Sequence, residues 1–239
     1  MKVLVLGDSC IDKFIYGDIN RICPEAPVPV FKPLYSTRNK GMASNVAHNF
    51  RSLGVKVTLI TNENQITKTR YIDHKSGQMV IRVDDEDGCD PFEGILPDLS
   101  LYDAMVISDY DKGFLTQAYL EDFDKKLALP IFLDSKKKLG DWCEDFSFVK
   151  INEHERQQNE NNYSFSNSII TKGGEGATYK GVDYPVEKRV KVSNTAGAGD
   201  TFLAGLVFEY LKSQDIISAI QFANRCASKV VQQRGVTTV

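Results

Sequence analysis

Short strand-like runs recur along the chain: 2–6 before Gly7-Asp8, 55–61, 104–108 before Asp109, 131–133 before Asp134, 148–151 before Asn152, and 168–171, the first of them a continuous β-branched and leucine run. Runs without alternation belong to strands covered on both faces, as in a parallel sheet. Between them the apolar positions change to helical spacing. One such stretch opens near Gly41 and stops at Gly54, a second runs 115–127, and a third runs from Asp200 to about Lys212. A fourth follows Asp215, with Ile216, Ala219, Ile220, Ala223, Ala227 and Val230 on one face. Strands alternating with helices predict an α/β fold around a mostly parallel sheet. Ligands in such sheets gather beyond the carboxyl ends of the strands, which puts Asp8 and Asp12 where a substrate would sit.

Two stretches break the alternation. Residues 16–30 contain Pro24, Pro27 and Pro29 and cannot form a helix. They read as extended edge strands and turns, followed by a strand at 31–35. Inserted between the first strand and the first helix, they predict a small flap outside the main sheet, at approximately 14–38. The second stretch is 189–206. Here a β-branched segment at 189–192, read as a strand, enters the turn Asn194-Thr195-Ala196-Gly197-Ala198-Gly199 and then a helix. Free N–H groups at a helix start, with the helix dipole, form an anion site. Gly197 and Gly199 let backbone approach a ligand. Asp200 would repel a bound phosphate unless it has other work, and accepting a proton from an attacking hydroxyl is such work. A plain αβ loop with an aspartate cap is the simpler alternative.

Composition narrows the classes. The chain has 239 residues, 42% hydrophobic and 26% charged, with a formal net charge of -3. That is the make-up of one soluble globular domain spanning 1–239, with no general affinity for nucleic acid. The run Lys136-Lys137-Lys138 reads as a solvated loop. Five scattered cysteines form no CxxC pair and no metal-ligand spacing with the three histidines. No apolar stretch reaches membrane-spanning length, and the sequence opens on a strand pattern without signal-peptide regions. A cytoplasmic protein is expected.

The 194–200 run resembles the second signature of the ribokinase-like (PfkB) sugar kinases, Asp-Thr-x-Gly-Ala-Gly-Asp, with Asn194 in place of the first Asp. The resemblance implies an anion hole at Gly197, Ala198 and Gly199, a catalytic base at Asp200, and Asn194 on the nucleotide side. Gly41-Met42-Ala43-Ser44-Asn45 is similar to the family's first signature, Gly-Gly-x-x-Asn, so Gly41 and Asn45 are expected at the sugar together with Asp12. Gly7-Asp8-x-x-x-Asp12, the run Arg21-Ile22-Cys23-Pro24 to Val30, and Ser108-Asp109-Tyr110-Asp111-Lys112-Gly113 resemble the D-glycero-D-manno-heptose 7-phosphate kinases within that family. Residues 78–84 resemble the second part of the family's lid sheet, which implies lid strands at approximately 14–38 and 67–84, and Arg82 there and Lys112 are then expected to meet a sugar phosphate. Asp134-Ser135-Lys136 is similar to the family's Asp-Pro-Lys. Asn152 and Glu155 match Asn-x-x-Glu, which positions Mg²⁺ and nucleotide phosphates, often through water. Thr171, Lys172 and Gly173 match a strand-end turn beside the nucleotide. Asn224, in Phe222-Ala223-Asn224, lies on the adenine side, and 235–239 resembles the family's closing Gly-Thr-x-Thr-Val.

The resemblance implies a three-layer α/β/α ribokinase-like sandwich with a β-strand lid, the cofactors ATP and Mg²⁺, and a homodimer joined through the lid. The reaction implied is ATP-dependent phosphorylation of a sugar hydroxyl, in this subfamily the anomeric hydroxyl of the heptose 7-phosphate to give the 1,7-bisphosphate. Another sugar kinase of the fructose phosphate or ribose class, and a trimmed descendant that binds without catalysis, remain alternatives. Relatives carry a further helix and strand between the 55–61 strand and the segments 67–70 and 78–84, and a longer helix around 156–167, so fewer strands are expected on one side of the sheet. A dinucleotide oxidoreductase is disfavoured, because the first strand ends in Gly-Asp-Ser-Cys and not Gly-x-Gly-x-x-Gly.

Overall fold

A computed structural model describes residues 1–124, 127–159, 166–233 and 237–238. In chain order the elements are β1 (Lys2–Gly7), β2 (Ser9–Ile22), β3 (Pro29–Met42), α1 (Ala43–Ser52), β4 (Lys56–Ile60), β5 (Ile66–Asp73), β6 (Met79–Asp85), β7 (Ala104–Asp109), α2 (Gln117–Asp122), β8 (Ile131–Ser135), β9 (Phe148–Asn152), α3 (Glu153–Asn159), β10 (Ser168–Thr171), β11 (Ala177–Tyr179), β12 (Val182–Tyr184), α4 (Ala198–Ser213) and α5 (Ile216–Val230).

The main sheet has the order β12-β11-β10-β9-β8-β7-β1-β4. Pairing is parallel from β4 to β10 and antiparallel for β11 and β12. β1 is flanked on both sides, which explains its unbroken apolar run. Val3 and Val5 face α1, α4 and α5 in a cluster with Phe50, Phe132, Phe202, Leu206 and Ile220. Leu4 and Leu6 face the opposite layer with Ile107, Leu120, Leu133, Leu139 and Phe146. Each such buried side chain contributes roughly 1.5–3 kcal/mol. β4 has one neighbour only and forms the sheet's edge, in keeping with the trimmed pattern.

The second covering layer is thinner than its sequence suggests. In place of a helix over 115–127, α2 runs only from Gln117 to Asp122. It starts at Thr116, whose hydroxyl accepts from Tyr119 N–H at 3.1 Å. It stops where Phe123 turns extended, with Asp122 and Asp124 at the end where the helix dipole disfavours negative charge. Residues 125–126, which that expectation also covered, lie outside the described residues, as do 160–165 of the Asn-rich segment and most of the closing 235–239 motif.

The lid is a separate sheet of order β3-β2-β5-β6. Its first two strands are longer than expected: β2 and β3 pair antiparallel from Ser9–Met42 out to Ile22–Pro29, leaving only 23–28 as a turn. Pro33 is tolerated because β3 is an edge strand, where a missing N–H costs no ladder bond. The strand expected at 189–192 does not form. β12 ends at Tyr184 before Pro185, which lacks an N–H, and the chain to 197 is irregular. It is tied down by Ser193 and Asn194, whose N–H groups both donate to the Val231 carbonyl at 2.7 and 3.2 Å.

Candidate active site

The carboxyl ends of β1, β7, β8 and β9 converge with the N-terminus of α4. Just beyond β1, buried Asp8 accepts from Tyr110 N–H at 2.6 Å and Phe114 N–H at 3.3 Å, fixing the loop after β7. That loop brings the Tyr110 hydroxyl to Asp200, where it donates to Oδ1 at 2.6 Å. From the first turn of α1, Asn45 Nδ2 donates to Asp200 Oδ2 at 2.8 Å. Asn45 is in turn held through Asn49, whose Nδ2 donates to the Asn45 carbonyl at 2.9 Å and whose Oδ1 accepts from Thr201 at 3.1 Å. Burial drives the Asp200 carboxyl up to about 6, with Asp134 adding to the rise, while the Tyr110 and Asn45 hydrogen bonds and the charge of Lys150 oppose it.

The turn before α4 has the form expected for an anion site, with one difference. Gly197 caps the helix at φ 80°, a left-handed conformation that favours glycine. The Ala198 N–H is already engaged with the Thr195 carbonyl at 3.2 Å, and the first N–H to close a helical bond is Thr201, onto Gly197 at 2.9 Å. Among the described residues of this turn, the amides of Gly197, Gly199 and Asp200 are left as open donors. Asn194 braces the turn by accepting from Ala196 N–H at 3.1 Å.

Against this turn lies a cavity of about 700 Å³, lined by Tyr110, Lys136, Lys150, Asn152, Thr171, Gly173, Gly197, Ala198, Gly199 and Asn224 among others. Its floor is cationic. Lys150 Nζ donates to buried Asp134 at 2.6 Å, and a Cβ on Gly199 would lie 3.2 Å from that same ammonium. Lys136 pairs with Asp134 at 3.3 Å and with Glu155. Burial alone would raise the Asp134 carboxyl, but Lys136 and Lys150 hold it below the ordinary range. Burial likewise opposes charge on Lys136, and Asp134 and Glu155 override it, so this ammonium stays protonated.

The structure thus gathers Asn152, Thr171, Gly173, Ala198, Gly199 and Asn224 on one cavity, while Asn194 and Lys172 do not line it. Lys172 points to Asp183 at 2.9 Å instead. On the other side of Asp200, Asp12 pairs with Arg70, and a Cβ on Gly41 would collide with the Asp12 carboxylate and the Cys10 thiol. Arg82 and Lys112 are on this side, each bound to a carboxylate, Asp84 and Asp87. Asn152 and Glu155 form a reciprocal capping box at α3: Glu155 N–H donates to Asn152 Oδ1 at 2.8 Å and Asn152 N–H to Glu155 Oε2 at 2.8 Å. With Lys136 also on Glu155, no cluster of three or more His, Cys, Asp or Glu able to hold a metal exists among the described residues. These side chains fit Mg²⁺ only through water, with nucleotide phosphates supplying the inner ligands.

Tyr110, Lys150 and Arg70 escape a sequence reading. Tyr110 lies inside a motif whose lysine drew attention. Lys150 sits in a buried apolar strand, and a lysine there, rarely buried unless paired, was the available signal.

A nucleotide-sized cavity at a helix N-terminus, with a buried carboxylate between it and a β lid, defines an α/β small-molecule kinase. The chain belongs to the pfkB family of carbohydrate kinases, whose model matches residues 120–239. It is 29% identical to the bifunctional protein HldE of Caulobacter vibrioides over 297 aligned positions, covering 99% of this chain and 61% of that protein. The chain therefore spans about six tenths of the curated relatives it matches, and an alignment longer than its 239 residues means that relatives carry segments it lacks. In fold it matches the ribokinase of Thermotoga maritima (TM-score 0.72, 15% identity, 98% of this chain and 94% of that one). It also matches an Arabidopsis thaliana ribokinase complexed with ribose and ATP (TM-score 0.69, 14% identity, 98% and 93%). The expected ribokinase-like fold is the one observed.

Proposed function

We propose that this kinase phosphorylates the anomeric hydroxyl of D-glycero-D-manno-heptose 7-phosphate from ATP, giving the 1,7-bisphosphate. The observation that carries the chemistry is the pair of hydrogen bonds that fix buried Asp200 between the cavity and the lid. ATP occupies the cavity, its adenine toward Asn224 and its phosphates toward the Gly199 and Asp200 amides and the ammonium groups of Lys150 and Lys136. The sugar lies under the lid against Asp12, Gly41 and Asn45. Asp200 takes the proton of the attacking hydroxyl as the oxygen bonds to the γ-phosphorus, and ADP leaves. Open amides and fixed lysines stabilise the charge spread over the transferring phosphoryl group, which needs positioning more than covalent chemistry. Asn152 and Glu155 would hold Mg²⁺ through water, and the ion would supply further charge neutralisation.

The heptose assignment is supported by the 21–30 and 108–113 motifs and by the curated relatives named HldE. A cytoplasmic homodimer goes with this reading. The lid exposes Ile22, Leu34, Tyr35, Met79, Ile81 and Val83, an apolar set suited to a second lid. All five cysteines are free, as in a reducing compartment. The direct test is Asp200→Asn: turnover falls at least ~10²-fold with ATP affinity retained, and near-normal turnover would remove Asp200 as the base.

A further inference from the structure

The register of the lid places Asp12, Lys68 and Asp84 side by side in one row, with Phe14, Arg70 and Arg82 in the next. All the carboxylates of this patch have partners. Asp12 is taken by Arg70, Asp84 by Arg82 through Nε at 2.7 Å, and Asp87 by Lys112 at 2.6 Å. Lys68 lies between two aspartates and bonds neither. It is 7% exposed, and among the described residues its ammonium makes no hydrogen bond and no ion pair. Its ammonium lies over the face of Tyr110, 5.6 Å from the ring centroid, and its charge is felt by Asp84 and Cys10 without bonding either. A buried ammonium without an anion or acceptors is costly to maintain and has donors to give. Nor is it turned to the nucleotide: Lys136 meets the Tyr110 ring at 5.2 Å and lines the cavity, whereas Lys68 does not.

We propose that Lys68 is a specificity-determining residue that takes the phosphate group of a phosphorylated sugar acceptor. This rests on the sugar-kinase reading and narrows it to anionic acceptors. The phosphate supplies Lys68 with the anion it lacks, and Tyr110 links that position to Asp200, so an acceptor phosphate sets the distance at which its hydroxyl meets the base.

The experiment is calorimetry without ATP on wild type, Lys68→Met and Lys68→Arg, using D-glycero-D-manno-heptose 7-phosphate, fructose 6-phosphate and fructose, with a non-hydrolysable ATP analogue as control. Wild type is expected to bind a sugar phosphate and not free fructose. Lys68→Met should weaken that binding about 30-fold, the scale of a charge-assisted hydrogen bond, with analogue affinity unchanged and Lys68→Arg close to wild type. Lys68→Met should also melt at a higher temperature than wild type without ligand, since it removes an unpaired buried charge. Unaltered sugar-phosphate binding in Lys68→Met, an equal loss of analogue binding, or a lower melting temperature would overturn the assignment. Lysine-dependent binding without ADP release in the wild type would instead overturn the kinase reading and leave Lys68 assigned.

Discussion

Asp200 is ringed by groups that pull its proton affinity in opposite directions. Burial and Asp134 raise it to about 6, whereas Tyr110, Asn45 and Lys150 favour the ionised form. A base works only when ionised, so activity should be lost as pH falls through about 6. Tyr110→Phe removes a donor from the carboxylate. The ionised form loses support, and the acid limb of the kcat profile should move up by about one pH unit, near 1.4 kcal/mol. A pH–rate series on the two proteins checks this, and an unmoved limb would mean that the phenol only packs. Asp200 itself was readable in the sequence, because Gly-Ala-Gly-Asp is a specific pattern. Tyr110 and Lys150 were not, since their roles depend on partners in other strands: Asp200 is 90 positions from Tyr110.

Among the elements, the start of α4 depends on a left-handed glycine beside the proposed phosphate site. Gly197→Ala forces a Cβ into the left-handed region, which costs about 1–2 kcal/mol. A change near 1 kcal/mol lowers the melting temperature of a chain this size by about 2–4 °C. Because the same turn aims the Gly199 and Asp200 amides, KM for ATP should rise as well, measurable by steady-state kinetics. The sequence was a good guide to buried strands and to α4 and α5, where periodicity reports burial directly. It misjudged α2, where dipole-opposing aspartates cut an apolar pattern short, and 189–192, where β-branched residues had no neighbouring strand to pair with. The Asn152-x-x-Glu155 spacing shows a further ambiguity. A motif carried as a metal and phosphate signature is also an ordinary capping box, and here it visibly makes both ends of that box.

For the whole molecule, the trimmed edge at β4 and the thin layer at α2 leave the strand ends that converge on Asp200 intact. The lid leaves its outer apolar residues exposed, the surface that a second lid covers in the proposed dimer. Sedimentation should give a dimer, and Ile81→Glu should convert it to monomer with reduced affinity for the sugar, since lid position defines that site. A wild-type monomer would contradict the lid-to-lid arrangement.

The most direct measurement is ADP release with Mg-ATP against D-glycero-D-manno-heptose 7-phosphate, with fructose 6-phosphate, ribose and no sugar in parallel. Release that depends on the heptose phosphate and vanishes in Asp200→Asn is the predicted result. Release with ribose or fructose 6-phosphate alone would contradict the heptose assignment, and ATP binding with no release for any sugar would contradict the assignment of Asp200 as a working base.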